Sequence, residues 1–220
     1  HANISELSPG TLSIGHTRWA THGGVTDVNA HPHLDCTKNI AIIHNGIFEN
    51  FEEYKKILIK KGHTFASETD SEVIAHCIED HLSTMPFQEA VRTTFLEMKG
   101  LNAIIAIHKN ERKLVAARQG SPLVIGFGKN ENYLASDPAA LLPHTSSVYF
   151  LEDGQCAVIT DKCVEVYDLQ HNTKVSNTPQ TLTWKPQQGE KGEYPYFMIK
   201  EIHEQPSLLT EILATTSSHL

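Results

Sequence analysis

Residues 95–120 read FLEMKGLNAIIAIHKNERKLVAARQG, and the apolar period changes inside them. Before Gly100 the apolar residues recur at helical spacing. After it, Asn102–His108 and Lys113–Arg118 are short runs of strand character, rich in Ile, Val and Ala. Working upstream, Pro86–Met98 reads as a helix with Pro86 where helices accept proline. A further helix starts near Thr69 or Asp70, with Val73, Ile74, Cys77 and Ile78 facing inward. Phe48–Lys61 is a third, with Phe48, Phe51, Tyr54 and Leu58 on one face and Gly62 as its stop. Working downstream, strands are expected at Pro122–Phe127, Tyr133–Ser136, Ser147–Leu151, Gln155–Thr160 and Cys163–Tyr167. The turns between them carry Gly120, Lys129-Asn130, Asp153-Gly154 and Asp161-Lys162, mostly hairpin-length connections that favour antiparallel pairing. Helices in one stretch and strands in another predict an α+β architecture, not a doubly wound parallel sheet.

Two strands are expected nearer the N-terminus. Thr11–Ile14 is one, and Asn39–His44 is a buried one that stops at Asn45-Gly46. From Asn172 to Tyr194 the chain is polar and reads as an extended tail or linker. Two helical segments follow it, Tyr196–Glu204 and, after Pro206, Leu208–Thr215. This divides the chain into a domain over 1–171 and a linker with helical segment over 172–220.

The chain has 220 residues, 40% hydrophobic and 20% charged, with a formal net charge of −8. That balance suits one globular domain with a sizeable core, or one domain and a tail, acting on small molecules. It argues against a nucleic-acid binder, which needs a basic face for phosphates. The four cysteines, Cys36, Cys77, Cys156 and Cys163, form no CxxC pair and read as free thiols in a reducing compartment. No apolar run approaches the ~20 residues of a bilayer span. A cytoplasmic protein without membrane contact is expected.

Three stretches carry groups suited to chemistry. In HTRWATHG, His16–Gly23, the Arg18 fork could hold a carboxylate, with Thr21 and His22 adding hydrogen bonds and Trp19 capping a pocket. The plainer alternative is a strand end with a surface ion pair and a core tryptophan. In AIIHNG, Ala41–Gly46, the Asn45 side-chain amide and the Gly46 N–H are two donors at one corner, suited to an oxyanion. The alternative is an ordinary turn. In SETDSE, Ser67–Glu72, Asp70 could hold an ammonium group, or simply cap a helix. NAHPH, Asn29–His33, places His31 and His33 near Cys36. Two histidines at i and i+2 on a loop fall short of the three or four converging ligands of a metal site, so no metal is expected. An anion clamp, an oxyanion hole and an amine acceptor together suffice to recognise a free amino acid and hydrolyse its side-chain amide. Only a nucleophile is missing from the set.

GHTRWATHGGVTDVNAHPH (Gly15–His33), HNGIFENFEEYK, SETDSEVIAH, ARQGSPLVIGFG, NYLASDPAALL and FLEDGQCAVIT resemble, in order, the glutaminase domain of the glucosamine-6-phosphate synthase family of class II glutamine amidotransferases. KEIHEQP, Lys200–Pro206, resembles the link from that domain to a sugar-phosphate isomerase half. The resemblance implies an N-terminal-nucleophile hydrolase fold, an αββα sandwich of two mostly antiparallel sheets between helix layers. It implies hydrolysis of L-glutamine to glutamate and ammonia, for making D-glucosamine 6-phosphate from D-fructose 6-phosphate. Arg18, Thr21 and His22 would grip the α-carboxylate, Asp70 the α-amino group, and Asn45 with Gly46 the oxyanion. Trp19 would lie on a gating loop, and His31 lies nearby without an assigned role. No cofactor is implied. The implied partners are an isomerase domain of the same chain and a second copy in a homodimer or higher oligomer. The family's nucleophile is an N-terminal cysteine. Here residue 1 is His1 and no cysteine precedes Cys36, so a first strand pair, a helix and the nucleophile are expected ahead of His1. The alternatives are the glutaminase domain of another class II amidotransferase, or a fragment that binds glutamine without hydrolysing it.

Overall fold

The computed structural model describes residues 10–183 and 191–217. The chain divides into two compact units, His1–Leu182 and Thr183–Leu220. The first holds strands β1 (His33–Leu34), β2 (Ile40–Gly46), β3 (Asn102–His108), β4 (Leu114–Gln119), β5 (Val124–Phe127), β6 (Asn132–Ala135), β7 (Ser147–Phe150), β8 (Gln155–Ile159), β9 (Val164–Asp168), β10 (Lys174–Val175) and β11 (Gln180–Thr181). Its helices are α1 (Phe51–Lys60), α2 (Asp70–Leu82) and α3 (Phe87–Glu97). Seven strands form one sheet in the order β1-β2-β3-β4-β8-β9-β10, and four form another in the order β11-β7-β5-β6. All pairs are antiparallel, as the short connections predict.

Strand alternation builds the layers. Ile40 and Ile42 of β2, Ile104 and Ala106 of β3, and Val115 and Ala117 of β4 face the helices. There they share a buried cluster with Val73, Ile74, Ile78, Phe87, Val91 and Phe95. Their neighbours Ile43, Ala103, Ile105, Leu114 and Ala116 point the other way and pack against Leu123, Ile125 and Leu151 between the sheets. The period-two pattern therefore serves two cores at once, which is why these strands read as continuous apolar runs. Beyond the smaller sheet, Val124 and Val148 are covered by Leu141 after a 3-10 turn at Pro138–Ala140, and by Leu182.

Four expectations are corrected. Thr11–Ile14 is not a strand: among the described residues it has no ladder partner, and Leu12 and Ile14 pack against the intersheet core as side chains only. Asn45-Gly46 does not end β2. The strand runs through it, with Asn45 opposite Ala103 and Gly46 opposite Asn102. The polar stretch after Asn172 is not all tail, because Lys174–Val175 pairs with β9 and Gln180–Thr181 with β7. Two-residue edge strands need no apolar signal, since only backbone groups are paired. Residues 184–190 of that stretch lie outside the described residues. Finally, among the described residues of the second unit there is one helix, α4 (Phe197–Ser217), with Pro206 inside it instead of between two helices. Proline removes one ladder donor there. The Ser207 and Thr210 hydroxyls donate to the carbonyls of Glu204 and Pro206, at 2.8 Å each.

Candidate active site

The three stretches singled out in the sequence meet at one end of the larger sheet. A cavity of about 300 Å³ there is lined by His16, Arg18, Trp19, Thr21, His22, His31, His44, Asn45, Gly46, Ile47, Thr69 and Ser71. A larger one, about 650 Å³, lies between the sheets. Its walls mix aliphatic side chains such as Ile43, Ile105 and Ile159 with polar ones such as Arg112, Glu131 and Asp161, and none of the site residues singled out in the sequence lines it.

Arg18 holds a left-handed backbone, φ 53°, which is costly for a residue with a Cβ and is found where the surroundings impose it. Its guanidinium folds back on its own loop, Nη1 donating to Gly24 O and Nη2 to His22 O, each at 2.9 Å. The loop is anchored by the buried Asn29. Its Nδ2 donates to Gly24 O at 3.0 Å, and its Oδ1 accepts from the Glu68 N–H at 3.0 Å. The arginine is thus held at the cavity wall with its Nε–H and one Nη1–H left for a ligand. Trp19 is 91% exposed, which excludes a core role.

Across the cavity, Asn45 sits on β2. The Arg18 N–H donates to His16 Nδ1 at 2.9 Å, so the His16 proton is on Nε2, which donates to Asn45 Oδ1 at 2.8 Å. With its oxygen engaged, Asn45 keeps its amide N–H groups for another acceptor. Gly46, φ 124°, follows where no side chain fits: a Cβ would lie 2.0 Å from Leu101 O. His44, next on the strand, is buried between Ser71 Oγ at 2.8 Å and Asn102 Oδ1 at 2.9 Å.

Asp70 differs from the simple cap. Thr69 caps α2, its hydroxyl accepting from the Glu72 N–H at 3.2 Å. Asp70 is the next residue, 2% exposed, with Oδ2 accepting from the Phe48 N–H at 2.8 Å. It does not line the cavity itself. His22 stands in front of it, with Nδ1 3.7 Å from Asp70 Oδ1, too long for a hydrogen bond. Six of the seven residues singled out in the sequence therefore line one cavity, and the seventh lies one side chain behind. The reading of separate stretches missed His16, which orients Asn45. Its signal was only that it opens HTRWATHG.

His31 and His33 complete the wall. The His31 ring lies 4.2 Å from that of His16 and 4.7 Å from that of His33, centroid to centroid. Both nitrogens of His31, and Nδ1 of His22, are buried without a hydrogen-bond partner, an arrangement native proteins keep where a ligand or water is received. Burial, then the neighbouring His16, His33, His44 and Arg18, lowers His31 from 6.5 to about 3. Burial lowers His33 to about 4 against the opposing pull of Glu72, with Arg18 and His44 adding to the fall and Asp70 opposing it. Both are neutral in the folded state at pH values where the unfolded chain protonates them. Unfolding therefore takes up protons below about pH 6.5, and stability decreases as the pH is lowered from about 6.5 towards 4. Chemical denaturation between pH 7 and 4.5 is expected to show an uptake of about one to two protons on unfolding. A stability independent of pH there would contradict neutral burial of these rings.

No described cysteine reaches the cavity. Cys77 and Cys156 are buried, and burial pushes both thiols up, Cys156 to about 11, so they stay protonated. Cys36 and Cys163 are exposed, and neither lines the cavity.

The sequence pattern of the glutamine amidotransferase domain matches residues 16–143. Among similar curated proteins, the glutamine–fructose-6-phosphate aminotransferase (isomerizing) of Pyrococcus horikoshii is 43% identical over 96% of this chain and 36% of its own length. The Thermus thermophilus protein of that name is 47% identical over 93% of this chain and 33% of its own. The chain thus spans about a third of these relatives. The glutamine phosphoribosylpyrophosphate amidotransferase of B. subtilis has a similar fold, with a TM-score of 0.61 over 71% of this chain and 34% of its own, at 23% identity. A structure described as the allosteric regulatory enzyme of purine biosynthesis aligns over 71% of this chain and 35% of its own, with a TM-score of 0.59 and 26% identity. These likenesses and the two antiparallel sheets identify the N-terminal-nucleophile amidotransferase sandwich. Among the described residues no helix is long and apolar enough to cross a membrane.

Proposed function

We propose, for a chain that belongs to the glutamine amidotransferase domain family, that the cavity between Arg18 and Asn45 binds L-glutamine and directs its side-chain amide to the Asn45-Gly46 corner for hydrolysis to glutamate and ammonia. The observation that carries this is the His16–Asn45 bond of 2.8 Å, which keeps an amide donor free opposite a guanidinium across one cavity. The α-carboxylate meets the free N–H groups of Arg18, with Thr21 and His22 beside it. The α-ammonium is drawn to the Asp70 carboxylate and reaches Oδ1 when the His22 ring, whose Nδ1 stands 3.7 Å from that oxygen without a hydrogen bond, turns aside.

On this reading the reaction follows from those positions. A cysteine thiol of the full-length protein, the nucleophile that the family resemblance implies, attacks the amide carbon. The carbonyl oxygen gains charge, and the Asn45 Nδ2–H and the Gly46 N–H donate to it. Ammonia leaves as the thioester forms, and water hydrolyses the thioester to glutamate. Trp19, exposed at the rim, shields the bound amide and gates the exit of ammonia. The ammonia serves the formation of D-glucosamine 6-phosphate from D-fructose 6-phosphate in a sugar-phosphate isomerase domain of the same full-length chain, to which the segment from Thr183 onward leads. The names and greater length of the similar proteins support this assignment.

The binding half is tested by Arg18→Ala in the natural full-length protein. Loss of a charge-assisted carboxylate clamp, worth about 1.5–3 kcal/mol, raises KM for glutamine roughly 10- to 100-fold. Arg18→Lys recovers part of it, because it keeps the charge without the planar fork. Unchanged KM in both variants would remove Arg18 from the substrate site. Formation of glucosamine 6-phosphate from glutamine and fructose 6-phosphate, lost when glutamine is omitted, tests the acceptor.

A further inference from the structure

Away from the cavity, four side chains with metal-binding atoms converge on one point. Cys36 lies in the turn between β1 and β2, His63 just past the end of α1, and His76 and Glu79 one turn apart on α2. Cys36 Sγ is 3.7 Å from His63 Nδ1 and 3.4 Å from His76 Nδ1. The two Nδ1 atoms are 3.3 Å apart, and Glu79 Oε2 is 3.0 Å from the first and 3.2 Å from the second. All four ligand atoms lie within 4.8 Å of one another.

We propose that Cys36, His63, His76 and Glu79 form a structural zinc site. Zinc bonds of ~2.3 Å to sulfur and ~2.0–2.1 Å to nitrogen or oxygen, in a tetrahedron, separate N from N or O by about 3.3 Å and S from N by about 3.6 Å. The observed edges match both values to within a few tenths of an ångström. Hydrogen bonding alone does not account for the cluster. Each Nδ1 has one proton or one lone pair, yet each faces a sulfur, a carboxylate oxygen and the other ring nitrogen. A dication at the centre satisfies all of them. The thiolate and carboxylate balance its charge, and both imidazoles bind neutral. Binding converts the Cys36 thiol to thiolate and releases its proton to solvent.

The surroundings fit a metal centre. His76 Nε2, turned away from the cluster, is buried without a hydrogen-bond partner, and Glu72 Oε1 lies 3.7 Å from it. Glu72 is fixed in turn by the N–H groups of Ala66 and Ser67, at 2.7 Å each. A carboxylate behind a metal-bound imidazole is the usual outer partner of such a ligand. The Cys36 N–H donates to Glu79 Oε2 at 3.1 Å. Four protein ligands leave no open position, so the role is to hold structure. The metal would tie the β1–β2 turn and the end of α1 to α2, the helix whose first residues form part of the candidate active site. Sequence reading weighed Cys36 only with its loop neighbours His31 and His33. The partners that converge with it are 27, 40 and 43 residues away.

The test uses the natural full-length protein, purified, stripped with a chelator and titrated with ZnCl2 or CoCl2. One zinc per chain is expected by elemental analysis. The cobalt form should show the strong visible bands of a tetrahedral site and a thiolate-to-cobalt charge-transfer band in the near ultraviolet. Cys36→Ser loses the charge-transfer band and most of the bound zinc, while Cys163→Ser, at the other exposed cysteine, keeps both. Chelation lowers the melting temperature of the parent and not of Cys36→Ser. The cobalt spectrum of the unaltered protein needs no variant to fold. Zinc well below one per chain, a cobalt form without the charge-transfer band, or a Cys36→Ser protein that keeps that band would each overturn the site.

Discussion

If Asn45 donates to the oxyanion as proposed, Asn45→Ala in the natural full-length protein is expected to lower kcat for glutamine hydrolysis about 10²- to 10³-fold, the cost of removing one side-chain oxyanion donor, while KM changes little. The reason is differential stabilisation. On the proposed reading the Asn45 amide meets the carbonyl oxygen most strongly once that oxygen carries charge, so its loss falls on the transition state. The geometry also assigns the loss to the amide nitrogen. The Asn45 oxygen is already engaged by His16 Nε2–H, and His16 is fixed by the Arg18 N–H. His16→Ala frees Asn45 to rotate and gives a smaller fall in kcat, which His16→Gln, retaining a donor, partly restores. Steady-state kinetics with glutamine decide the matter. An Asn45→Ala enzyme with kcat near that of the parent would remove this corner from the chemistry.

Gly46→Ala unfolds the same corner instead of merely slowing it. At φ 124° an L side chain is strained, and a Cβ would sit 2.0 Å from Leu101 O and 2.9 Å from Asn102 Cα. Both are backbone atoms that no rotamer change can move. Gly46 also lies in the ladder opposite Asn102, so relief requires opening the end of β2. Strain and clash together place the cost at the severe end for one substitution, about 3–5 kcal/mol. For a domain of this size that lowers the melting temperature by roughly 10 °C. Thermal unfolding of parent and variant tests it. A shift under about 2 °C would show that the strand end yields easily, and that glycine is there for the oxyanion alone.

The two variants separate what glycine and asparagine contribute. Asn45 is half-buried and its side chain points away from the ladder, so its removal leaves the fold intact. Gly46 is needed by the backbone before any substrate arrives. A reader of the sequence sees Asn-Gly and expects a turn, because the same φ freedom serves turns and close approaches alike. Only the pairing of β2 with β3 tells them apart.

That distinction runs through the molecule. The change of apolar period near Gly100, the three helices and the strand series down to Tyr167 were legible in the chain, because periodicity records which face of an element is buried. So were six residues of the cavity wall, since a guanidinium, an amide and a glycine in short stretches carry recognisable chemistry. Tertiary structure alone decided the rest. The edge strands His33–Leu34, Lys174–Val175 and Gln180–Thr181 exist through backbone bonds to neighbours, which leave no side-chain pattern. Thr11–Ile14 has the pattern of a strand without a ladder partner among the described residues. His16 reaches Asn45 across 29 residues, Asp70 stands behind His22, and Cys36 meets His63, His76 and Glu79. Convergence of this kind depends on sheet order and register. Those are set by the packing of whole elements and not by spacing along any one of them.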